Sequence, residues 1–281
     1  MTEQLENGLY IVGTPIGNLE DISLRAIRIL GAVDLIAAED TRHTGKLLQH
    51  LQITTPQISY HEHNRQQRQG ELLRRLQDGQ KVALVTDAGM PGISDPGSEL
   101  VQVCVENGVR VIPIPGATAV ITALAAAGLP SNRFIFEGFL PVKAKERQTR
   151  LKLLERETRT IILYESPHRL RQTLQDLADL LGQNRQVVLA RELTKLHEEF
   201  WRGNLEEAIN LYQKYRQPQG EYTLVIEGTQ EEEKLLLSPA QIKVEMEQLL
   251  QQGMTRSQAS RQLAPLTNLS RREIYQLSMD G

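Results

Sequence analysis

Between residues 9 and 226 the chain alternates short apolar runs of strand length with amphipathic runs of helix length. Few architectures accommodate that alternation. Strands followed by helices pair most readily as a mostly parallel sheet with helices packed over its faces. Strand-like runs fall at 9–12, 35–38, 58–60, 82–86 and 109–114, then at 134–139, 160–164, 187–190 and 222–226. Helical runs follow at about 22–30, 66–77, 98–106, 145–157 and 205–215, with an alanine-rich helix between Thr118 and Gly128. Ser166 and Pro167 suit the N-cap and first turn of a further helix.

Leu129-Pro130-Ser131-Asn132 interrupts the rhythm, so the sequence predicts one α/β domain over 1–129 and a second over 130–229. From Thr229 to Lys234 the chain turns acidic and loses its β pattern, which marks a second linker. The tail, 235–281, is helical in character. Ser238 to Gln241, Thr255 to Gln258 and Ser270 to Glu273 each have the spacing of a capping box. Short helices split by Gly253 and by residues 265–269 resemble a helix-turn-helix unit. Its Arg256, Arg261, Arg271 and Arg272 either face phosphates or form a solvated helical face.

Composition narrows the function. A chain of 281 residues with 40% hydrophobic side chains can bury substantial cores. Only 4% of residues are aromatic, so stacking platforms for single strands are not advertised. A net charge of −3 argues against a generally basic, nucleic-acid-coating protein but leaves room for a local patch. The single cysteine, Cys104, excludes an intramolecular disulfide and sits in an apolar run as a packed core thiol. The start of the chain lacks a secretory pattern, and the apolar stretch 117–129 is too short to cross a bilayer. A reduced, cytoplasmic setting is the expectation.

The chemistry-bearing residues gather where strands hand over to helices. Residues 86–97, Thr-Asp-Ala-Gly-Met-Pro-Gly-Ile-Ser-Asp-Pro-Gly, follow one strand and precede a helix. Such a shaped backbone surface at a strand's carboxyl end is where open α/β sheets bind ligands. The first loop, Gly13-Thr14-Pro15-Ile16-Gly17-Asn18, fails the dinucleotide fingerprint, and no Gly-Lys-Ser/Thr phosphate loop is present. It reads instead as close-packed backbone able to lie against a flat ligand. Glu39-Asp40-Thr41-Arg42 and His61-Glu62-His63-Asn64 form two more polar strand ends. The histidines lack a third ligand nearby, so surface hydrogen bonding or substrate contact is favoured over metal. In the second block, Tyr164 to Arg169 and Ala190 to Lys195 also end strands; there Arg191 and Lys195 suit phosphate neutralisation, with Glu192 fixing one of them. The basic run Lys143, Lys145, Arg147, Arg150 and Lys152 reads as a solvated helix face, and it is also the best candidate for a phosphate track.

Six ordered motifs together (13–19, 39–42, 61–64, 87–97, 115–118 and 164–169) closely resemble the bacterial small-subunit (16S) ribosomal RNA cytidine 2′-O-ribose methyltransferases, a branch of the tetrapyrrole methylase superfamily. The resemblance spans residues 8–228, and the helical tail is similar to that branch's C-terminal extension. It implies an α/β fold with two methylase-type domains, a cleft between them that binds S-adenosylmethionine, and a homodimer. It further implies cofactor contacts from Pro15, Asp87, Gly89, Met90, Ser94, Thr118, Ala119, Tyr164, Arg191 and the Glu221-Tyr222-Thr223 segment. Thr86 and Met90 stand where the branch more often has serine and threonine. The implied substrate is a cytidine ribose near the decoding centre, presented by the assembled small subunit. Arg42, His63, Arg169, Lys195, Arg271 and Arg272 are the candidate RNA contacts.

Methyl transfer is an in-line displacement, so alignment of donor and acceptor supplies much of the rate. A ribose hydroxyl is a poor nucleophile, and a nearby acceptor helps it. Glu39, Asp40, His61 and Glu165 are the candidates, one of them at most the base; the chemistry requires no metal. Asp87 and Asp95 read as positioning groups. Two other functions are weighed: a corrin-pathway (precorrin) C-methyltransferase on the same fold, and a non-catalytic nucleic-acid-binding protein led by its tail. The 39–42 and 61–64 motifs and the tail favour RNA over a macrocycle, while the net charge disfavours autonomous binding by the tail.

Overall fold

The computed structural model describes residues 5–229, 239–267 and 269–279. It divides into two compact units, 1–228 and 229–281. The first sheet is built from β1 (Gly8–Val12), β2 (Leu35–Ala38), β3 (Gln57–Ser59), β4 (Lys81–Val85) and β5 (Val111–Ile114), in the order β3-β2-β4-β1-β5. Every pairing in it is parallel. Its connections carry α1 (Leu24–Leu30), α2 (Thr41–His50), α3 (Arg65–Gln77) and α4 (Ser98–Glu106).

The continuous apolar runs arise because these strands are buried on both faces. Tyr10, Val12, Ile36, Ala38, Ala83 and Val85 face one core, which α1 closes with Ala26, Ile29 and Leu30. Their neighbours Leu9, Ile11, Leu35, Ala37, Val82 and Leu84 face another, closed by Leu72 and Leu76 of α3 and by Leu100 and Cys104 of α4. Cys104 is fully buried there, and burial pushes its thiol up to about 11. It is a core side chain.

After β5 the chain enters α5 (Ala119–Ala127). The second sheet then forms from β6 (Phe134–Phe139), β7 (Thr160–Glu165), β8 (Gln186–Arg191), β9 (Glu199–Asn204) and β10 (Tyr222–Ile226), ordered β6-β7-β10-β8-β9. It is served by α6 (Ala144–Leu154), α7 (Leu170–Leu181) and α8 (Leu205–Asn210), the last running into a π-turn at Leu211–Tyr215. Here only β6 and β7 are parallel; the other pairs are antiparallel. The departure from a parallel sheet comes from β9, which the sequence reading lacks. Glu-Phe-Trp-Arg-Gly-Asn has no continuous apolar run because it is a half-buried edge strand. Its hairpin with β8 reverses the chain, so β10 returns antiparallel to both neighbours.

Although α5 belongs by sequence to the first block, its apolar face covers the second sheet. Val120, Ala123, Leu124 and Ala127 pack on Ile162, Val188, Ala190 and Val225. The opposite face of that sheet is covered by Leu151 and Leu154 of α6, Leu170, Leu174 and Leu177 of α7, and Leu205 and Ala208 of α8. Gly128 ends α5 in a left-handed conformation (φ 79°), and Arg202 of β9 donates to the carbonyls of Ala126 (2.5 Å) and Ala127 (3.2 Å). Those are carbonyls that a helix end leaves unpaired.

One capping expectation fails. The next helix, α7, begins at Leu170, not at Ser166-Pro167, because the Ser166 carbonyl first closes a turn with the amides of Arg169 and Leu170. Within the second unit lie α9 (Pro239–Gln251), α10 (Arg256–Leu263) and α11 (Arg271–Leu277), around Ile242, Met246, Leu249, Ala259, Leu263 and Ile274. Thr255 with Gln258 and Ser270 with Glu273 form both halves of a capping box. Ser238 and the stretch 230–234, with the acidic Glu231, Glu232 and Glu233, lie outside the described residues. Among the described residues no helix is long and apolar enough to cross a membrane.

The loops after β1 and β5 touch backbone to backbone, and a Cβ on Gly116 would stand 2.7 Å from the Cα of Gly13. No rotamer relieves such a clash. We expect Gly116→Ala to lower stability by about 1–3 kcal/mol, the usual cost of overpacking, measured as a reduced urea midpoint with unchanged m-value.

Candidate active site

The carboxyl ends of the first sheet's strands face the ends of β6, β7 and β10 across a cavity of about 410 Å³. On the first side stand Ile16, Glu39, residues 87–90 and 93–95, Thr118 and Ala119; on the second stand Phe139, Tyr164, Glu165, Ser166, Pro167, Glu221, Tyr222 and Thr223. The two loops of the first side are tied together. Thr14 donates its amide to the Gly89 carbonyl (2.9 Å) and accepts the Gly89 amide (3.1 Å), while its hydroxyl donates to the Thr86 carbonyl (3.0 Å). Gly89 sits at φ +80°, which spares it the penalty a side chain would meet.

Beyond Gly89 the loop folds on itself, with the Gly92 amide donating to the Pro96 carbonyl (3.3 Å). Ser94, at φ +60°, is a non-glycine residue in the left-handed region. Its hydroxyl lies where a side chain on Gly138 would be, 2.8 Å from the position of that Cβ. Gly138 marks the irregularity in the β6–β7 register. A missing side chain on one sheet therefore seats the loop from the other.

Five carboxylates line the cavity, Glu39, Asp87, Asp95, Glu165 and Glu221, and among the described residues no Lys, Arg or His does. The ends of β2 and β4 interlock: the Asp87 amide donates to Glu39 (3.3 Å) and the Asp40 amide donates to Asp87 (3.3 Å). Burial raises the Glu39 carboxyl above its ordinary value, and the Asp87 charge adds to this against the Asp87 amide and His61, which favour ionisation. Asp95 is pushed up to about 6 by burial, with Glu39 and Asp87 repelling its charge. Burial likewise raises the Tyr164 hydroxyl, which interacts with the Val120 backbone and the Thr118 side chain at the start of α5.

Glu165 is held by a buried chain. Its Oε1 accepts the Ser166 amide (2.8 Å), and its Oε2 accepts the Thr173 hydroxyl (2.5 Å). Thr173 in turn accepts from Arg147 (2.8 Å), whose Nε donates to Asp176 (2.6 Å). Because arginine only donates, the Thr173 proton must point to Glu165.

Several sequence expectations are relocated. Asp40 caps α2 and pairs with Arg42 at 2.6 Å, which holds its carboxyl well below the usual range; neither residue lines the cavity. Pro15 is not among the lining residues either. Arg191 donates to the Gln219 carbonyl (2.7 Å) and lies 3.5 Å from Glu199, so those partners occupy it away from the cavity lining. Lys195 is committed to Glu192 (2.9 Å) and Glu221 (3.0 Å). Arg169 donates to the Leu140 carbonyl (2.5 Å), with Glu165 at 3.7 Å. Arg147 is buried and Arg150 pairs with Glu137 (2.7 Å), so the basic run is not one solvated face. His61 keeps a buried, unpartnered Nδ1, with the His63 ring 6.0 Å away. Arg271 and Arg272 are exposed on α11, and Arg271 donates to Ser257 (2.6 Å).

Asp87, Gly89, Met90, Ser94, Thr118, Ala119, Tyr164, Tyr222 and Thr223 do converge on the cavity, with Glu39 and Glu165. Sequence reasoning missed Phe139, whose ring lies tilted against Tyr164 with centroids 5.6 Å apart; an aromatic residue at a strand end was its only signal. Among the described residues no three His, Cys, Asp or Glu side chains group as metal ligands.

The model of the tetrapyrrole (corrin/porphyrin) methylases matches residues 8–209. The chain belongs to the tetrapyrrole methylase family. Within it, the chain is 59% identical over 272 residues to the ribosomal RNA small subunit methyltransferase I of Synechocystis sp., covering 97% of both chains. It is 48% identical to the protein of that name from Escherichia coli O157:H7, over 97% of this chain and 94% of the other. Its fold is similar to a uroporphyrin-III C-methyltransferase from Thermus thermophilus complexed with S-adenosylhomocysteine: TM-score 0.54, 20% identity, 78% of this chain and 97% of that one.

Removing the Thr173 hydroxyl leaves a buried carboxylate oxygen and an arginine N–H unpaired. We expect Thr173→Val to cost about 1–3 kcal/mol in stability and Thr173→Ser to restore most of it, read by chemical denaturation.

Proposed function

We propose that this protein transfers a methyl group from S-adenosylmethionine to the 2′-hydroxyl of a cytidine ribose in small-subunit (16S) ribosomal RNA, near the decoding centre. The observation that carries the reading is 59% identity along 97% of the chain with a ribosomal RNA small subunit methyltransferase I. The cofactor supplies an electrophilic methyl carbon on a sulfonium. The cavity suits such a cation: among the described residues five carboxylates and no basic side chain line it, and its volume is that of a small-molecule site.

The division of labour follows from the residues. Asp87 and Glu39, locked together at adjacent strand ends, fix a negative wall. Gly89 spends its backbone hydrogen bonds on Thr14 and contributes a surface without a side chain. Met90, Thr118, Ala119, Tyr222 and Thr223 offer apolar contact and hydroxyls from both sheets. Of the candidate RNA contacts, Arg42, His63, Arg271 and Arg272 are exposed and suit substrate positioning at phosphates, whereas Arg169 is held by the Leu140 carbonyl and Lys195 by Glu192 and Glu221. Family resemblance also implies a homodimer, which light scattering reads as twice the chain mass.

Incubation with labelled S-adenosylmethionine and small ribosomal subunits lacking the modification should place label on a cytidine ribose. Label on a precorrin instead would contradict the reading.

The carboxylates also set a pH dependence. Asp95 is neutral below about pH 6 and charged above it, and a cationic ligand favours the charged form. Affinity for S-adenosylmethionine should therefore rise as pH increases from 5 to 7. That for S-adenosylhomocysteine, whose sulfur is neutral, should change less. Calorimetric titration of both ligands checks the difference; parallel pH curves would contradict it.

A further inference from the structure

The five carboxylates of the cavity are not equivalent. Glu39 accepts the Asp87 amide, and Asp87 accepts the Asp40 amide. Both oxygens of Glu165 are taken, by Ser166 and Thr173. Glu221 is paired with Lys195 at 3.0 Å. Asp95 alone, among these five, accepts no hydrogen bond from any described residue, yet it is partly buried and lines the cavity.

Its placement is enforced from both sides. On its own loop it follows Ser94, held in the left-handed region at φ +60°, and precedes Pro96, whose carbonyl is tied to the Gly92 amide. From the second sheet, the side-chain-free Gly138 admits the Ser94 hydroxyl. A strained residue persists only where its surroundings over-determine it, and such residues cluster at functional sites. The charged and titratable groups around Asp95 are Glu39 and Asp87 from the first sheet's strand ends, and Tyr164 and Glu165 from β7, with Glu221 just before β10. None of them offers it a cation.

We propose that Asp95 is a catalytic residue: its free carboxylate accepts the proton of the attacking ribose hydroxyl. This rests on the reading of the protein as a ribose 2′-O-methyltransferase. In the step, a lone pair of the 2′-oxygen forms the new C–O bond while the C–S bond breaks and its electron pair returns to sulfur, leaving a neutral thioether. The hydroxyl proton passes to Asp95 and afterwards to solvent. A carboxyl poised near pH 6 suits a proton acceptor at neutral pH. The assignment differs from the sequence expectation, which gave Asp95 a positioning role and sought the base among Glu39, Asp40, His61 and Glu165.

The test is single-turnover methylation of small ribosomal subunits with saturating S-adenosylmethionine, from pH 5 to 8, using the wild-type protein, Asp95→Asn and Glu39→Gln. Wild-type rate should rise with pH and then level, its midpoint at or below about pH 6 because the bound sulfonium favours the charged carboxylate. Asp95→Asn should lose about 10²–10⁴-fold, the usual contribution of a general base. It should lose the acid limb and bind S-adenosylhomocysteine within about threefold of wild type, which also reports folding. The acid limb should survive in Glu39→Gln. A wild-type rate flat over the whole range from pH 5 to 8, or an Asp95→Asn rate within threefold of wild type, overturns the assignment. Wild-type protein that leaves ribose unmethylated contradicts the functional reading itself, and the assignment with it.

Discussion

The apolar face of α5 against the second sheet is the contact on which the site depends. Val120, Ala123, Leu124 and Ala127 are buried on Ile162, Val188, Ala190 and Val225. The helix leaves the first sheet directly after β5, through a turn whose Gly116 touches Gly13. One buried surface therefore sets the spacing between two sets of strand ends, and the cavity is the space left between them. Arg202, reaching from β9 to the last carbonyls of α5, closes the same contact at its far end. Burial of this kind is non-directional and scales with apolar area. Glycine contacts and capping bonds supply the direction.

Within that frame the chemistry is electrostatic. Lys195 pairs with Glu221 and Arg169 approaches Glu165, but among the described residues no salt bridge reaches Glu39, Asp87 or Asp95, so the repulsion among those three is relieved by protonation or by a bound cation. Each carboxylate that must keep its place is tied to a backbone amide or a buried hydroxyl, and these ties cross from one strand end to the next. Such fixed groups need no reorganisation as charge shifts during a reaction. The acid excess fits a sulfonium donor whose charge vanishes on methyl transfer.

Much of this was legible in the sequence. The first sheet could be read because its strands are buried on both faces and leave unbroken apolar runs. The 87–97 loop could be read because three glycines and two prolines cannot pass as an ordinary turn. The edge strand β9 escaped, since a half-buried strand that begins at Glu199 and carries Arg202 within it has no such run. Ion-pair geometry escaped as well. In sequence Arg191 reads as a ligand-facing cation and Arg147 as part of a solvated helix face, but Glu199 claims the first and Asp176 the second. Nor does adjacency in sequence show that Glu39 turns to the cavity while Asp40 turns to Arg42. Partner choice among charges is a property of the folded chain.

The central claim is that the space between the two sheets, framed by α5, receives the methyl donor. A crystal structure of the full chain with S-adenosylhomocysteine tests it most directly. The account predicts the ligand in the cavity, touching residues 87–90 and Thr118 on one side and Tyr222 and Thr223 on the other. A ligand bound anywhere else, with that cavity holding only solvent, would contradict it.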